Sequence, residues 1–319
     1  MRTLITGGAG FIGSHLAERL LEEGHEVLVV DNLSTGRLAN IRHLESNPRF
    51  RFVLGTILDE RLMKELVEQC DEVYHLAAAV GVEYIINNPL QSLTTNIRGT
   101  EIVLEMANLG KQKIIIASTS EIYGKNGNKA FKEDDDRILG STRINRWSYA
   151  TTKAVDEFLA LAYWKERRVP VVIVRFFNVI GPRQTGEYGM VVPRFVKQAL
   201  LNRPITVYGD GEQRRCFTDI SDAIDGLLAL VRHSDAVGEI FNLGTSEEIS
   251  INALALKIKE ITESSSPIEY IPYEQVYGSS YEDMKYRVPD LSKIRALVSY
   301  EPKVTLDKAL AKIIEFYQS

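Results

Sequence analysis

Short apolar runs alternate with longer amphipathic stretches through the first half of the chain. The runs at residues 3–6, 26–30, 50–54, 72–76, 113–118 and 169–175 have the length of strands and are largely apolar. Strands that read as continuous apolar runs are buried on both faces. The intervening stretches 12–23, 60–68, 90–109 and 149–167 carry apolar residues at helical spacing. Strands and helices alternating in this way predict an α/β fold built on a doubly wound parallel sheet. After residue 176 the alternation loosens, with helices predicted at 193–201 and 220–232 and strands at 204–208 and 239–243. Two or three helices follow residue 250, around a Pro-containing stretch at 270–272. The pattern divides the chain into a larger domain, 1–175, to which 216–245 returns, and a smaller lobe formed mainly by 176–319.

Composition narrows the class without naming a reaction. The 319 residues are 45% hydrophobic and 25% charged, as ordinary globular domains are. A formal net charge of -5 argues against nucleic acid as a partner. The two cysteines, Cys70 and Cys216, have no CxxC partner or nearby His, so neither a disulfide framework nor a zinc site is expected. The acidic run Asp134-Asp135-Asp136 has no spaced partners and reads as a solvated loop. The N-terminus runs straight into a strand, and no apolar run approaches the ~20 residues of a membrane span. A cytoplasmic protein without a membrane partner is the expectation.

Candidate chemistry begins at the turn after the first strand. Thr6-Gly7-Gly8-Ala9-Gly10-Phe11-Ile12-Gly13 satisfies G-x-G-x-x-G through Gly8, Gly10 and Gly13, and G-x-x-G-x-x-G through Gly7, Gly10 and Gly13. Glycines there permit a tight turn and let a pyrophosphate approach the backbone at a helix N-terminus. Asp31 ends the second strand at the distance expected of a ribose-binding acid. No Arg follows it directly, since Asn32 and Leu33 come next, which favours NAD over NADP; Arg37 is the nearest cation. Further along, Tyr149 and Lys153 stand four residues apart on a predicted helix, so their side chains share one face. An ammonium beside a phenol favours the phenolate, which predicts a lowered Tyr149 pKa and a general base for oxidising an alcohol.

The glycine loop, Asp31, His75-Leu76-Ala77-Ala78, Asn96 and Tyr149-x-x-x-Lys153 occur in one order along the chain. As a set they resemble the extended short-chain dehydrogenase/reductase family of nucleotide-sugar enzymes, over essentially the whole chain. The resemblance implies a Rossmann-like fold, NAD as cofactor, a UDP-sugar as substrate and a homodimer formed through the Tyr-Lys helix and the helix before it. It assigns cofactor binding to Gly7, Gly10, Phe11, Ile12, Gly13, Asp31, Asn32, Leu76, Ala77, Asn96, Tyr149 and Lys153. Asn96 is also expected to support a proton relay. Thr119 joins Tyr149 and Lys153 at the reacting hydroxyl. Asn178, Val192 and Arg215 are implied substrate contacts, with Arg214 solvent-facing. One departure is Thr56, where the family often has an Asp on adenine.

All such enzymes begin by oxidising a sugar C4 hydroxyl. Three features bear on the fate of the resulting ketone. Thr119-Ser120-Glu121 sets a carboxylic acid beside the sugar carbons, as in 4,6-dehydratases and UDP-glucuronate decarboxylases; the plain alternative is a buried Glu paired with an Arg. Arg146-Trp147-Ser148-Tyr149 resembles the lead-in of decarboxylating enzymes, with Trp147 itself read as packing. Tyr281 through Asp290 resembles the decarboxylase segment whose Arg reaches the active site, which makes Tyr281 and Arg287 substrate contacts. The expected set is therefore Thr119, Ser120, Glu121, Tyr149, Lys153 and Arg287 acting on UDP-glucuronate, to give UDP-xylose or a UDP-4-keto-pentose. The alternatives are a UDP-hexose or UDP-hexuronate 4-epimerase, then an NDP-sugar 4,6-dehydratase. A non-enzymatic NAD-sensing scaffold would have lost the Tyr-Lys-Thr set, which is intact.

Overall fold

The computed structural model describes residues 1–127, 130–187, 189–277 and 282–318. Six strands and five helices make up the first half: β1 (Arg2–Thr6), α1 (Phe11–Glu22), β2 (Glu26–Asp31), β3 (Phe50–Leu54), α2 (Glu60–Val67), β4 (Glu72–His75), α3 (Val82–Asn87), α4 (Pro89–Gly110), β5 (Lys113–Thr119), α5 (Ser148–Arg167) and β6 (Val171–Phe176). With the later strand Ile240–Leu243 they form a seven-stranded sheet in the order Ile240–Leu243, β6, β5, β4, β1, β2, β3. Every pairing in it is parallel.

Alternating side chains on the strands supply two cores. Ile5, Val29, Tyr74, Ile115 and Val172 pack with α1 and the helix Ile220–Arg232. Leu4, Val30, Val73, Ile114 and Ile173 pack on the other face with α2, α4 and α5. Helices on both faces of a parallel sheet are the doubly wound arrangement the sequence predicts. The strand order reverses between β1 and β4, and a ligand crevice is expected there, beyond the carboxyl ends of the strands.

A third core lies outside the sheet. Val192, Phe195, Ile205, Val207, Leu254, Ile258 and Leu310 form it. Strand Ile205–Tyr208 there pairs with Ile268–Ile271, where the sequence suggested only a Pro-containing stretch. The three-stranded sheet Glu248–Ser250, Arg214–Cys216 and Tyr286–Arg287 was also not foreseen. Its register sets Arg287 opposite Arg215. Among the described residues no helix is long and apolar enough to cross a membrane.

Candidate active site

A cleft of about 480 Å3 opens at the carboxyl ends of the sheet strands, and residues of both the sheet and the third core line it. Its first wall is the glycine loop. Gly7, Gly10 and Gly13 line the cleft and Gly8 does not, so the G-x-x-G-x-x-G spacing is the one the fold uses. Gly7 has φ +71, and a Cβ on it would stand 2.8 Å from the Ala77 backbone. A Cβ on Gly13 would stand 2.5 Å from the Gly7 carbonyl oxygen. The loop is thus a cradle that any side chain would fill, at the N-terminus of α1.

Asp31 lies beside it. Its carboxylate accepts from the Ala9 N–H at 3.0 Å and from the Leu33 N–H at 2.8 Å. Each oxygen keeps a second lone pair for a hydroxyl. Burial raises the Asp31 pKa, and those two backbone bonds oppose the rise. Phe11, Ile12, Asn32, Thr56, Leu76 and Ala77 also line this end. The donor set fits a dinucleotide. Arg37 is turned to Glu187, at 2.7 Å.

Asn96 stands behind the cleft wall. It is buried and does not line the cleft; its amide accepts from the Ala79 N–H at 2.7 Å and donates to the Ala79 carbonyl and to Thr152. It pins the loop after β4 from behind.

At the centre, β5 ends on Thr119, whose hydroxyl caps the next turn by accepting from the Glu121 N–H at 3.2 Å. The frame below is rigid: Arg175 of β6 forks onto Glu157 of α5 at 2.8 and 2.7 Å, and Ser118 donates to the same carboxylate at 2.5 Å. This holds α5, and with it Tyr149, against β5 and Thr119. Tyr149, Lys153, Thr119, Ser120 and Glu121 all line the cleft.

The charge environment corrects the sequence-based pKa expectation. Burial, then Glu121 and Asp156, push the Tyr149 phenol up, and Arg287 and the Thr119 hydroxyl offset only part of that. Lys153 meanwhile donates to Asp156 at 2.8 Å. The lysine is thus neutralised by a carboxylate that pattern reading passed over.

The other wall is made of paired charges. Glu121 bonds Arg146, and Arg287 donates to it at 2.7 Å. Burial alone raises the Glu121 pKa; the two guanidiniums outweigh it and hold it at about 2. Arg287 also bonds the Asn178 amide oxygen, and its buried Nε–H has no hydrogen-bond partner among the described residues. Arg215 is buried and lies 3.1 Å from Asp283, whereas Arg214 is 40% exposed and pairs with Glu248. Val192 lines the same side, buried on the helix Val191–Leu200. Tyr281 lies outside the described residues. Trp147 packs with Ile122, Tyr123 and Phe131 and donates to Glu282 at 2.7 Å, a packing role as expected.

Pattern reading missed Arg146, Asp156 and Asp283 as site residues. The first stands three positions before Tyr149 and the second three after Lys153, spacings that share a helical face.

A nucleotide-type cradle, a Tyr-Lys-Thr set and an arginine-rich second wall define an enzyme of the short-chain dehydrogenase/reductase class that handles nucleotide sugars. A family model described as GDP-mannose 4,6 dehydratase matches residues 4–313, and the chain belongs to that family. It is 44% identical to a UDP-N-acetyl-alpha-D-glucosaminuronate decarboxylase of Bacillus cytotoxicus, over 99% of this chain and 98% of that one. It is 36% identical to UDP-glucuronic acid decarboxylase 1 of Arabidopsis thaliana, over 100% of this chain and 70% of the plant protein. A solved UDP-glucuronic acid 4-epimerase from Bacillus cereus, in complex with UDP-glucuronic acid and NAD, superposes with a TM-score of 0.90 at 34% identity, covering 100% of this chain and 99% of that one.

Proposed function

We propose that the protein is an NAD-dependent decarboxylase of a UDP-hexuronate, with UDP-glucuronate as substrate and UDP-xylose or the 4-keto-pentose as product. The observation that carries this reading is Arg287, a guanidinium that lines the cleft, held in place by Glu121 and the Asn178 amide oxygen with Arg146 beside it. A neutral hydroxymethyl group offers that guanidinium no charge; a carboxylate does.

The glycine cradle and Asp31 would hold NAD, which would supply the hydride acceptor and, in return, the hydride donor. Thr119 holds the C4 oxygen and Tyr149 takes its proton. The resulting β-keto acid breaks its C5–C6 bond and releases CO2, leaving the electron pair as an enolate on O4. Thr119 and Tyr149 face that oxygen, so charge is stabilised where it develops. A proton from water at C5 completes the ketone. Glu121, held ionised by its arginines, orients Arg146 and Arg287 rather than donating a proton. Arg215 and Asn178 take the diphosphate. Residues 1–175 with 216–245 form the NAD domain and the rest of 176–319 mainly the UDP-sugar lobe. The enzyme works in the cytoplasm as a homodimer through α4 and α5, where Leu109 and Phe158 are exposed.

Two observations favour neighbouring readings. Similarity to the Bacillus cytotoxicus enzyme supports a 2-acetamido sugar in place of the 2-hydroxyl. Similarity to the Bacillus cereus enzyme supports a 4-epimerase, in which the ketone turns over before reduction. Incubation with UDP-glucuronate or UDP-N-acetylglucosaminuronate and NAD, followed by NMR, separates them. A UDP-pentose from the first substrate supports the proposal, a product from the second alone moves the substrate, and UDP-galacturonate with no CO2 overturns decarboxylation.

A further inference from the structure

Lys153 and Asp156 form an ion pair of 2.8 Å with side chains only 3% and 0% exposed. They are three residues apart on α5, and Asp156 is seven from Tyr149, so all three follow one helix face. Nothing in the expected C4 oxidation set requires a carboxylate there.

The groups around the pair come from every neighbouring element. From β4, His75 is fully buried and held neutral, its pKa pulled down to about 3 by burial and by Lys153. It bonds Thr6 at 2.8 Å and Thr100 at 3.0 Å, so it brings no charge to the lysine. From α4, the Thr100 hydroxyl faces Asp156 and favours its charged form. On α5 itself, Glu157 is taken by Arg175. Around the phenol, Glu121 and Arg287 supply opposite charges and Thr119 supplies a hydroxyl. Asp156 Oδ1 has no hydrogen-bond partner among the described residues, so the carboxylate is held chiefly by Lys153. A buried charge with one strong partner fixes that partner's position and cancels its field.

We infer that Asp156 is a positioning residue for the Tyr149–Lys153 pair: it ties the Lys153 ammonium into a buried ion pair and so sets how readily Tyr149 gives up its proton. This rests on the reading of Tyr149 as the proton acceptor in C4 oxidation. With Asp156 ionised, the lysine's pull on the phenol is largely spent, and oxidation is favoured only at higher pH. Neutralising Asp156 leaves the ammonium uncancelled beside the phenol.

The direct readout is the ultraviolet tyrosinate titration of the substrate-free protein, taken as wild type minus Tyr149→Phe, which isolates one phenol. The wild-type midpoint is expected above the ordinary ~10 of a phenol. The shape-conserving Asp156→Asn variant is expected to lower it by about one unit or more, a tenfold change in ionisation. The acid limb of its kcat/KM profile moves to lower pH by the same amount, while KM for the UDP-sugar stays within about twofold. A folded Asp156→Asn variant that loses activity equally at all pH values, with an unmoved midpoint, overturns the inference. If Asn is not tolerated, Asp156→Ser leaves room for water and is held to the same outcome. A wild-type midpoint at or below ~10 also overturns it and needs no Asp156 variant. None of these readouts depends on whether the product is a pentose or an epimer, so the two readings fail separately.

Discussion

The two walls of the cleft are built from different materials. The cofactor wall is backbone: Gly7, Gly10 and Gly13 within one turn, and a carboxylate at the end of the next strand. The sugar wall is side-chain charge: Glu121 and Arg287 meet across 166 residues of sequence, joined by Arg146 and, through Asp283, by Arg215. A backbone cradle is fixed by local chain geometry and excludes Cβ atoms by contact. A charge cluster is fixed by which partners folding brings together, and each member alters the charge state of the rest. The first wall therefore tolerates no added atoms, and the second tolerates no missing charges.

The largest test acts where the walls meet. Tyr149→Phe removes the proton acceptor, and turnover should fall by ~100- to 10,000-fold, the usual range for a general base, with NAD and UDP binding retained by calorimetry. Loss of both affinities instead would make Tyr149 structural.

Arg287→Ala strips one charge from the sugar wall. Removing one partner of a buried charged pair costs about 2 kcal/mol or more, so decarboxylation should fall at least ~30-fold while NAD affinity stays within about twofold. Glu121 then keeps only Arg146, and its pKa should climb from about 2. Equal losses in NAD binding and turnover would break the separation of the walls.

Gly13→Ala is the converse. Its Cβ meets the Gly7 carbonyl oxygen at 2.5 Å, so NAD affinity should weaken about tenfold, near 1.4 kcal/mol, with UDP affinity unchanged. Intact NAD binding would show that the loop yields.

The last effect lies under both walls and is read in stability rather than in turnover or affinity. His75 has its pKa depressed from 6.5 to about 3, so the folded protein refuses a proton that the unfolded chain accepts. Its contribution to stability is complete above pH 6.5 and is lost as pH falls toward 3, by at most about 1.4 kcal/mol per pH unit. His75→Gln should flatten the acid slope of urea midpoints from pH 6.5 down to about 5; an unchanged slope would assign it to other groups.

The contrast also explains what the sequence made legible. β1 to β6 fall within one or two residues of their apolar runs, because a strand buried on both faces leaves an unbroken signature. Helix α3 escaped notice: six residues following Gly81, at φ +106, are too short for a periodic pattern. Strand Ile268–Ile271 was hidden because two of its four residues are exposed. In the site, Gly7 and Gly13 could be read because spacing is what matters there. Glu121 and Arg287 were each singled out, but that they bond one another was not, since no local spacing encodes a contact across 166 residues. The direction of the Tyr149 pKa is hidden from the sequence for the same reason: Lys153 alone predicts a fall, and burial with Glu121 and Asp156 reverses it.

Under the proposed function, the arginine wall takes the carboxylate of a hexuronate and lets it leave as CO2. UDP-glucuronate labelled with carbon-13 at its carboxyl carbon tests it most directly, with label followed into CO2 in wild type and in Arg287→Ala. Stoichiometric release by the wild type, with formation of a UDP-pentose, and release slowed at least ~30-fold in the variant while NAD still binds, is the expected result. Label retained in a six-carbon UDP-sugar by the wild type would contradict it.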